Sequence, residues 1–264
     1  MSQVVPSEVG QGGVVRASSE RDKVVYDRIW KKNADIGNPS DTACYLAQIL
    51  KPGAQICDLG ARGGRHARLF AAAGFDVVAV DRNQQALEAL AQVRRDYSSS
   101  QVVGDDILTF LGGCERTFDA IVMWDCVHHV VLSEPSFEDL ARCLWQRTAQ
   151  GGYLLITLLS DIYYPDRLGG HDRYLLSREA AARQLQAAFN HGWQLVQEKQ
   201  KPFTIPAAEG LQGAAIIVGE YSATRLIRLY QAVPLSGGGL SVEADGIESA
   251  APAGGGLASC REIR

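Results

Sequence analysis

Apolar residues recur along this chain in two rhythms. From Ser40 to Leu50, SDTACYLAQIL spaces its large apolar side chains three or four apart behind a serine or aspartate cap, which predicts an amphipathic helix. The earlier stretch SERDKVVYDRIWKK, from Ser19 to Lys32, sets Val24, Val25, Tyr26, Ile29 and Trp30 at the same spacing and is cut off by Asn38-Pro39-Ser40. After the turn Lys51-Pro52-Gly53 the rhythm changes to short, nearly continuous apolar runs: AQICDLG, FDVVAVD, SQVVGD, FDAIVMWD and GYLLITLL. Helical patterns lie between them. One runs from about Gly64 to Ala73 and stops at Gly74; the others are NQQALEALAQVRRD and, behind a Ser-Glu-Pro-Ser start, FEDLARCLWQRT. A short loop with Leu108 and Phe110 is expected between the third and fourth runs. Apolar runs alternating with helices predict an α/β fold with a parallel sheet covered on both faces.

Past Ser160 the pattern loosens into a polar and aromatic loop, DIYYPDRLGGHDRYLL. A helix capped by Ser177, SREAAARQLQAAF, and a strand, GWQLVQEKQ, follow; AAIIVGEY and TRLIRLYQAV read as further strands. From about Pro234 the chain is too rich in glycine, serine and alanine to pack, and a disordered tail is expected. The expected organisation is a flexible segment at 1–18, a helical lid at 19–50, the main domain at 51–233 and the tail at 234–264.

Composition narrows the classes. The 264 residues are 46% hydrophobic and 21% charged, which suits one globular α/β domain with extensions. A formal net charge of -4 gives no general electrostatic case for nucleic acid or an anionic membrane surface. No apolar run approaches the roughly 20 residues that span a bilayer, and the first residues lack the order of a signal peptide. None of the six cysteines falls in a CxxC or CxxH arrangement, so no metal site is expected and the thiols read as reduced, in a cytoplasmic protein.

Chemistry concentrates in QICDLGARGGRHARLFAAAGFDVVAVD. A glycine-rich turn after a first strand admits a ligand to the backbone, and the next helix offers free N–H groups. In open α/β sheets, ligands bind at the carboxyl ends of the strands. Asp81 ends the second strand, where it could accept from both ribose hydroxyls of a nucleoside. Asp105 or Asp106 ends the third, where either could meet an adenine amino group with Ile107 against the ring. The dinucleotide pattern GxGxxG fails, because Arg62 and Arg65 stand where its second and third glycines belong. Asp58, two residues before the first glycine, suits a cationic ligand better than a pyrophosphate. A sulfonium nucleoside, S-adenosylmethionine, meets both conditions.

Here the chain resembles the class I S-adenosylmethionine-dependent methyltransferases over about residues 40 to 200. ICDLGARGG looks like the first motif of that family, VVAVD the second, VVGDDILTF the third, FDAIVMWDCVHHV the fourth and QGGYLLITL the strand-five signature. Within the class, DLGARGGRHARLFAAAGFDVVAVDRN is most similar to tellurite-resistance-type and related small-molecule methyltransferases. The resemblance implies a Rossmann-like, doubly wound, mostly parallel seven-strand-type sheet and S-adenosyl-L-methionine as cofactor. By position it implies that Asp58, Gly60, Ala61 and Gly64 shape a methionine pocket. Asp81 would bind ribose, with Arg82 and Asn83 beside the adenosine. Asp105 or Asp106 with Ile107 would frame adenine, and Asp125 and Cys126 would flank the methionine moiety. Arg62 replaces the family's middle glycine, at a cost of about 1 kcal/mol if its φ must be positive.

His128 and His129, after the fourth strand, are candidates for a general base or an acceptor-orienting group, and packing is the competing role. Tyr26 and Trp30 would close over the site or belong to the core. Tyr163, Tyr164 and Arg173 in the polar loop would suit a small, flat or anionic acceptor, or simply be solvated. The expected function is methylation of a small molecule on O, N, S or a metalloid centre, with no membrane partner and with nucleic acid disfavoured. Methylation of RNA or protein, and a catalytically silent cofactor-binding protein, are the competing readings.

Overall fold

The structure, a computed structural model, describes residues 37–130, 134–163, 177–205 and 221–234. The segments expected at 1–18 and 19–32 and nearly all of the expected tail lie outside these residues, as do Tyr26, Trp30, Tyr164, Arg173 and most of AAIIVGEY. Helix α1 (Asp41–Ile49) leads into β1 (Gln55–Leu59), α2 (Arg65–Ala72), β2 (Asp76–Val80), α3 (Gln84–Asp96) and β3 (Ser100–Val103). Then come α4 (Ile107–Gly113), β4 (Phe118–Met123), α5 (Val127–Val130), α6 (Glu134–Arg147) and β5 (Thr148–Tyr163). Helix α7 (Arg178–Ala188) and strands β6 (Trp193–Ile205) and β7 (Tyr221–Ala232) complete the order.

Local chemistry sets the helix starts. Ser40, Asn83 and Ser177 each place a side-chain oxygen on a free N–H of the following first turn, on Ala43, on Gln85 and Ala86, and on Ala180 respectively. Where a loop was expected around Leu108 and Phe110, the chain forms α4, because Asp106 caps it by accepting from the Leu108 N–H at 3.0 Å. A loop was also expected from Asp161, but β5 runs on to Tyr163, since β7 pairs with it as far as Tyr163–Ser222.

The seven strands lie in the order β3-β2-β1-β4-β5-β7-β6. Strands β3, β2, β1, β4 and β5 run parallel to one another, and β7 runs antiparallel between β5 and β6. Pro202 sits in β6, at the edge of the sheet, the setting in which a strand tolerates proline. Two apolar layers sandwich the sheet. Ile56, Val77, Ala79, Leu155 and Leu229 pack with Leu46, Phe70, Leu90 and Val93 of α1–α3 on one side. On the other, Leu59, Ile121, Ile156 and Tyr230 pack with Leu111, Phe137, Leu144 and Leu185 of α4, α6 and α7. Chain order reverses between β1 and β4, so their carboxyl ends flank the switch point where such sheets leave a crevice. Among the described residues no helix is long and apolar enough to cross a membrane, and no cluster of side chains could hold a metal ion.

Candidate functional site

The turn after β1 is built on left-handed backbone. Gly60 has φ 70° and Gly64, the N-cap of α2, φ 81°. A Cβ on Gly60 would stand 2.9 Å from Cβ of Cys126 and 3.6 Å from Cδ1 of Ile107, so this glycine lets the β1 and β4 ends and α4 meet. Cys126 is buried there and donates its thiol to the Leu59 carbonyl at 3.3 Å, while burial pushes that thiol's pKa well up. The Gly60 and Ala61 N–H groups both donate to the Val80 carbonyl, at 2.8 and 3.0 Å, which clamps the turn onto the end of β2.

Asp81 completes that clamp. One carboxylate oxygen accepts from the Arg62 N–H and the other from the Asn83 N–H, each at 2.9 Å. Its side chain is nearly buried, and burial raises its pKa against the pull of those two N–H groups. Each carboxylate oxygen keeps lone-pair capacity for another donor, so the residue suited to a pair of hydroxyls also shapes the turn. Arg62 does take positive φ, 49°, and its side chain is exposed. The strain raised by the sequence is therefore present, at an exposed residue. Replacing Arg62 with glycine is expected to raise unfolding free energy by about 0.5–1 kcal/mol. Urea titration measures it, and an unmoved midpoint would show that the turn stores no strain.

Beneath the turn, Asp58 is 2% exposed and accepts from the Ala67 N–H in the first turn of α2 at 3.0 Å. Burial pushes its pKa up to about 7, with the Ala67 N–H and Arg65 pulling the other way. His66, beside Ala67 in the same turn, is 3% exposed, accepts at Nε2 from the Ser40 N–H at 3.3 Å, and meets Trp124 edge-on at 5.2 Å. Burial, reinforced by Arg65 and Arg225, pushes its pKa down to about 3. These shifts act on stability with opposite signs. Between roughly pH 4 and pH 7 the folded state holds a proton on Asp58 that the unfolded chain has lost, so stability falls as pH rises. Between about pH 3 and pH 6.5 the unfolded chain protonates His66 and the folded state does not, so stability falls as pH drops. The slopes oppose over their common range. Asp58→Asn removes the first and is expected to leave a loss on the order of 1 kcal/mol per pH unit on acidification from pH 6.5 to 5. Denaturant midpoints across that range test it; parallel curves for variant and parent would rule out the opposed pair.

The other candidates fall around the crevice. Asp106 caps α4 and pairs loosely with Arg82 at 3.4 Å, while Asp105 turns back onto the Asp106 N–H at 2.8 Å. Ile107 is buried beside Gly60. His128 and His129 lie on α5, directly after β4, and Tyr163 ends β5; the structure describes their backbone. Asp125 was expected to flank a ligand's methionine end. Its φ is 55°, its N–H donates to Thr157 Oγ1 at 2.6 Å, and Arg225 grips its carboxylate with two N–H groups, Nε at 2.8 Å. That carboxylate serves first to tie β4 and β5 to β7. Sequence reasoning missed Arg225, Thr157, Trp124 and His66. For His66 a signal existed, since His66, Leu69 and Phe70 form one apolar stripe of α2.

The buried acids and the clamped turn form a set of acceptors for hydroxyls and positive charge, which fits a sulfonium nucleoside. Residues 37–208 match the family described as methyltransferase domain. No curated protein sequence matches the chain at a significant level. Among solved structures, one reported for the conversion of a disulfide bond into a thioacetal group during echinomycin biosynthesis aligns at TM-score 0.55 and 15% identity, covering 80% of this chain and 93% of that one. TehB from Haemophilus influenzae aligns at TM-score 0.55 and 16% identity over 78% of this chain and 66% of its own. N-methyltransferase NodS from Bradyrhizobium japonicum, in complex with S-adenosylhomocysteine, aligns at TM-score 0.52 and 15% identity over 80% and 95%. At such identities these likenesses are of fold. With its strand order, its glycine turn and the family match over residues 37–208, the chain belongs to the methyltransferase-domain family and is an enzyme that uses S-adenosylmethionine.

Proposed function

We propose that the protein transfers the methyl group of S-adenosylmethionine to a small-molecule acceptor. The observation that carries this reading is the placement of Asp58 and Asp81, two buried carboxylates, against the glycine turn at the carboxyl ends of β1 and β2. Asp81 would hold the ribose hydroxyls while keeping the turn in shape, and the apolar Ile107 would cover the base. Asp58 would counter the positive charge of the methionine end. The bound cofactor supplies an already activated methyl, whose bond electrons stay on sulfur as an acceptor lone pair takes the carbon. The protein's task is then alignment, a contribution of up to about 7–11 kcal/mol. His128 or His129, on α5 beside the crevice, would take the acceptor's proton where it carries one at working pH.

The small acceptor is favoured by scale and charge. The described cations around Trp124 are the single side chains Arg65 and Arg225. The net charge of -4 adds no field that would gather a polyanion. The structure reported for the conversion of a disulfide bond into a thioacetal group during echinomycin biosynthesis shares the fold. The deciding experiment incubates the protein with methyl-labelled S-adenosylmethionine and, separately, a metabolite extract, bulk RNA and bulk protein. Label in the metabolite fraction is expected. Label confined to RNA or protein would overturn the reading, as would cofactor binding with no transfer to any fraction.

A further inference from the structure

The two carboxylates under the glycine turn are satisfied unequally. Asp81 accepts two backbone N–H groups, from Arg62 and Asn83. Asp58, on an interior strand, is 2% exposed and among the described residues accepts one, from Ala67. No described cation forms an ion pair with it. The groups packed around it offer little relief. Asp81, just past β2, adds a second negative charge. Cys57 and Cys126 are buried thiols whose pKa values burial pushes well up, so they stay neutral. Asp125, after β4, is already held by Arg225, and the Arg62 side chain is exposed. On α2, burial pushes His66 down to about 3, so it is neutral as well. Arg65 does pull on Asp58, yet its guanidinium carbon stands 5.5 Å from the Trp124 ring centre.

A carboxylate with so little compensation is better accommodated in a dry site as the neutral acid. Burial accordingly lifts its pKa to about 7. A ligand that brings positive charge to the turn reverses the balance, because opposite charges attract strongly where water is excluded. We propose that Asp58 stands as the neutral acid in the free protein and gives up its proton when S-adenosylmethionine binds, so that acidification empties the cofactor site. The O–H bond breaks with its electron pair left on the carboxylate, and the proton leaves to solvent. This rests on the cofactor reading given under the proposed function and adds a regulation to it. The free protein holds the proton below the raised pKa and the bound form does not. Affinity is therefore full above about pH 7 and is lost as pH falls through that value.

Calorimetry on the full chain tests the proposal. S-adenosylmethionine is titrated from about pH 7 down to about pH 5.5, below the range near 7.7–8.0 in which an α-amino group loses its own proton. Kd is expected to rise about tenfold across that window. Near pH 6, two buffers of different ionisation enthalpy should report the release of most of one proton per ligand bound. Asp58→Asn keeps an oxygen for the Ala67 N–H but cannot ionise. Its Kd should vary by less than about threefold over the same range, with no proton released. The proton count on the unaltered protein stands even if the variant fails to fold. No release from the unaltered protein, with affinity flat across the window, would overturn the proposal. So would a release that survives in Asp58→Asn, which would move the titration to Asp81. Failure of S-adenosylmethionine to bind the unaltered protein at any pH in the window would instead remove the cofactor assignment underneath.

Discussion

Replacing Asp81 with alanine is expected to weaken S-adenosylhomocysteine binding by about a hundredfold. Two charge-assisted hydrogen bonds to ribose hydroxyls at about 1.5 kcal/mol each give that factor. The structure adds a second route to the same loss. The carboxylate also accepts from the Arg62 and Asn83 N–H groups, so alanine would free the turn that the ligand must meet. Asp81→Asn separates the two, since its amide oxygen can still accept from one N–H while its NH₂ opposes the other. Calorimetry with S-adenosylhomocysteine gives the affinities, and thermal unfolding of the free protein gives the turn's share. Unchanged affinity in Asp81→Ala would remove the residue from the site.

Arg225→Met should cost about 3–5 kcal/mol, the penalty for leaving Asp125 buried without its partner. Both side chains of the pair are 15% exposed, so water can replace the lost partner only in part. For a domain of this size the loss lowers the melting temperature by roughly 10 °C. The second variant, Asp125→Asn with Arg225→Met, should recover a large part of that loss, because no charge is then stranded. A double variant as unstable as the single one would show that packing of the arginine stem, rather than its charge, holds the strands together.

One half of the candidate site is legible in the sequence and the other is not. Asp58, Gly60, Gly64 and Asp81 lie within two adjacent strand ends, so local rules about turns and strand termini found them. Their mutual contacts were less legible. Nothing in a linear pattern says that Asp81 would accept from the backbone of Arg62, because that bond depends on how far the turn folds over β2. Arg225 and Asp125 are 100 residues apart and meet only because the last strand is inserted between β5 and β6. Arg225 reads as an ordinary polar position in an alternating strand. Helix α4 is hard to foresee because it has only 7 residues and ends in two glycines; its start is set by the Asp106 cap. The length of β5 was underestimated for a related reason, since pairing with β7 extends it past its apolar run.

The bond between Asp125 and Arg225 also has a place in time. A ribosome adding about 5–20 residues per second emits Asp125 roughly 5–20 s before Arg225. During that interval the nascent chain can lay down β1 to β5, yet the left-handed Asp125 has no guanidinium to restrain it. The Asp125 end of the crevice is therefore fixed last in biosynthesis, and an incomplete chain holds the glycine turn before β7 is in place.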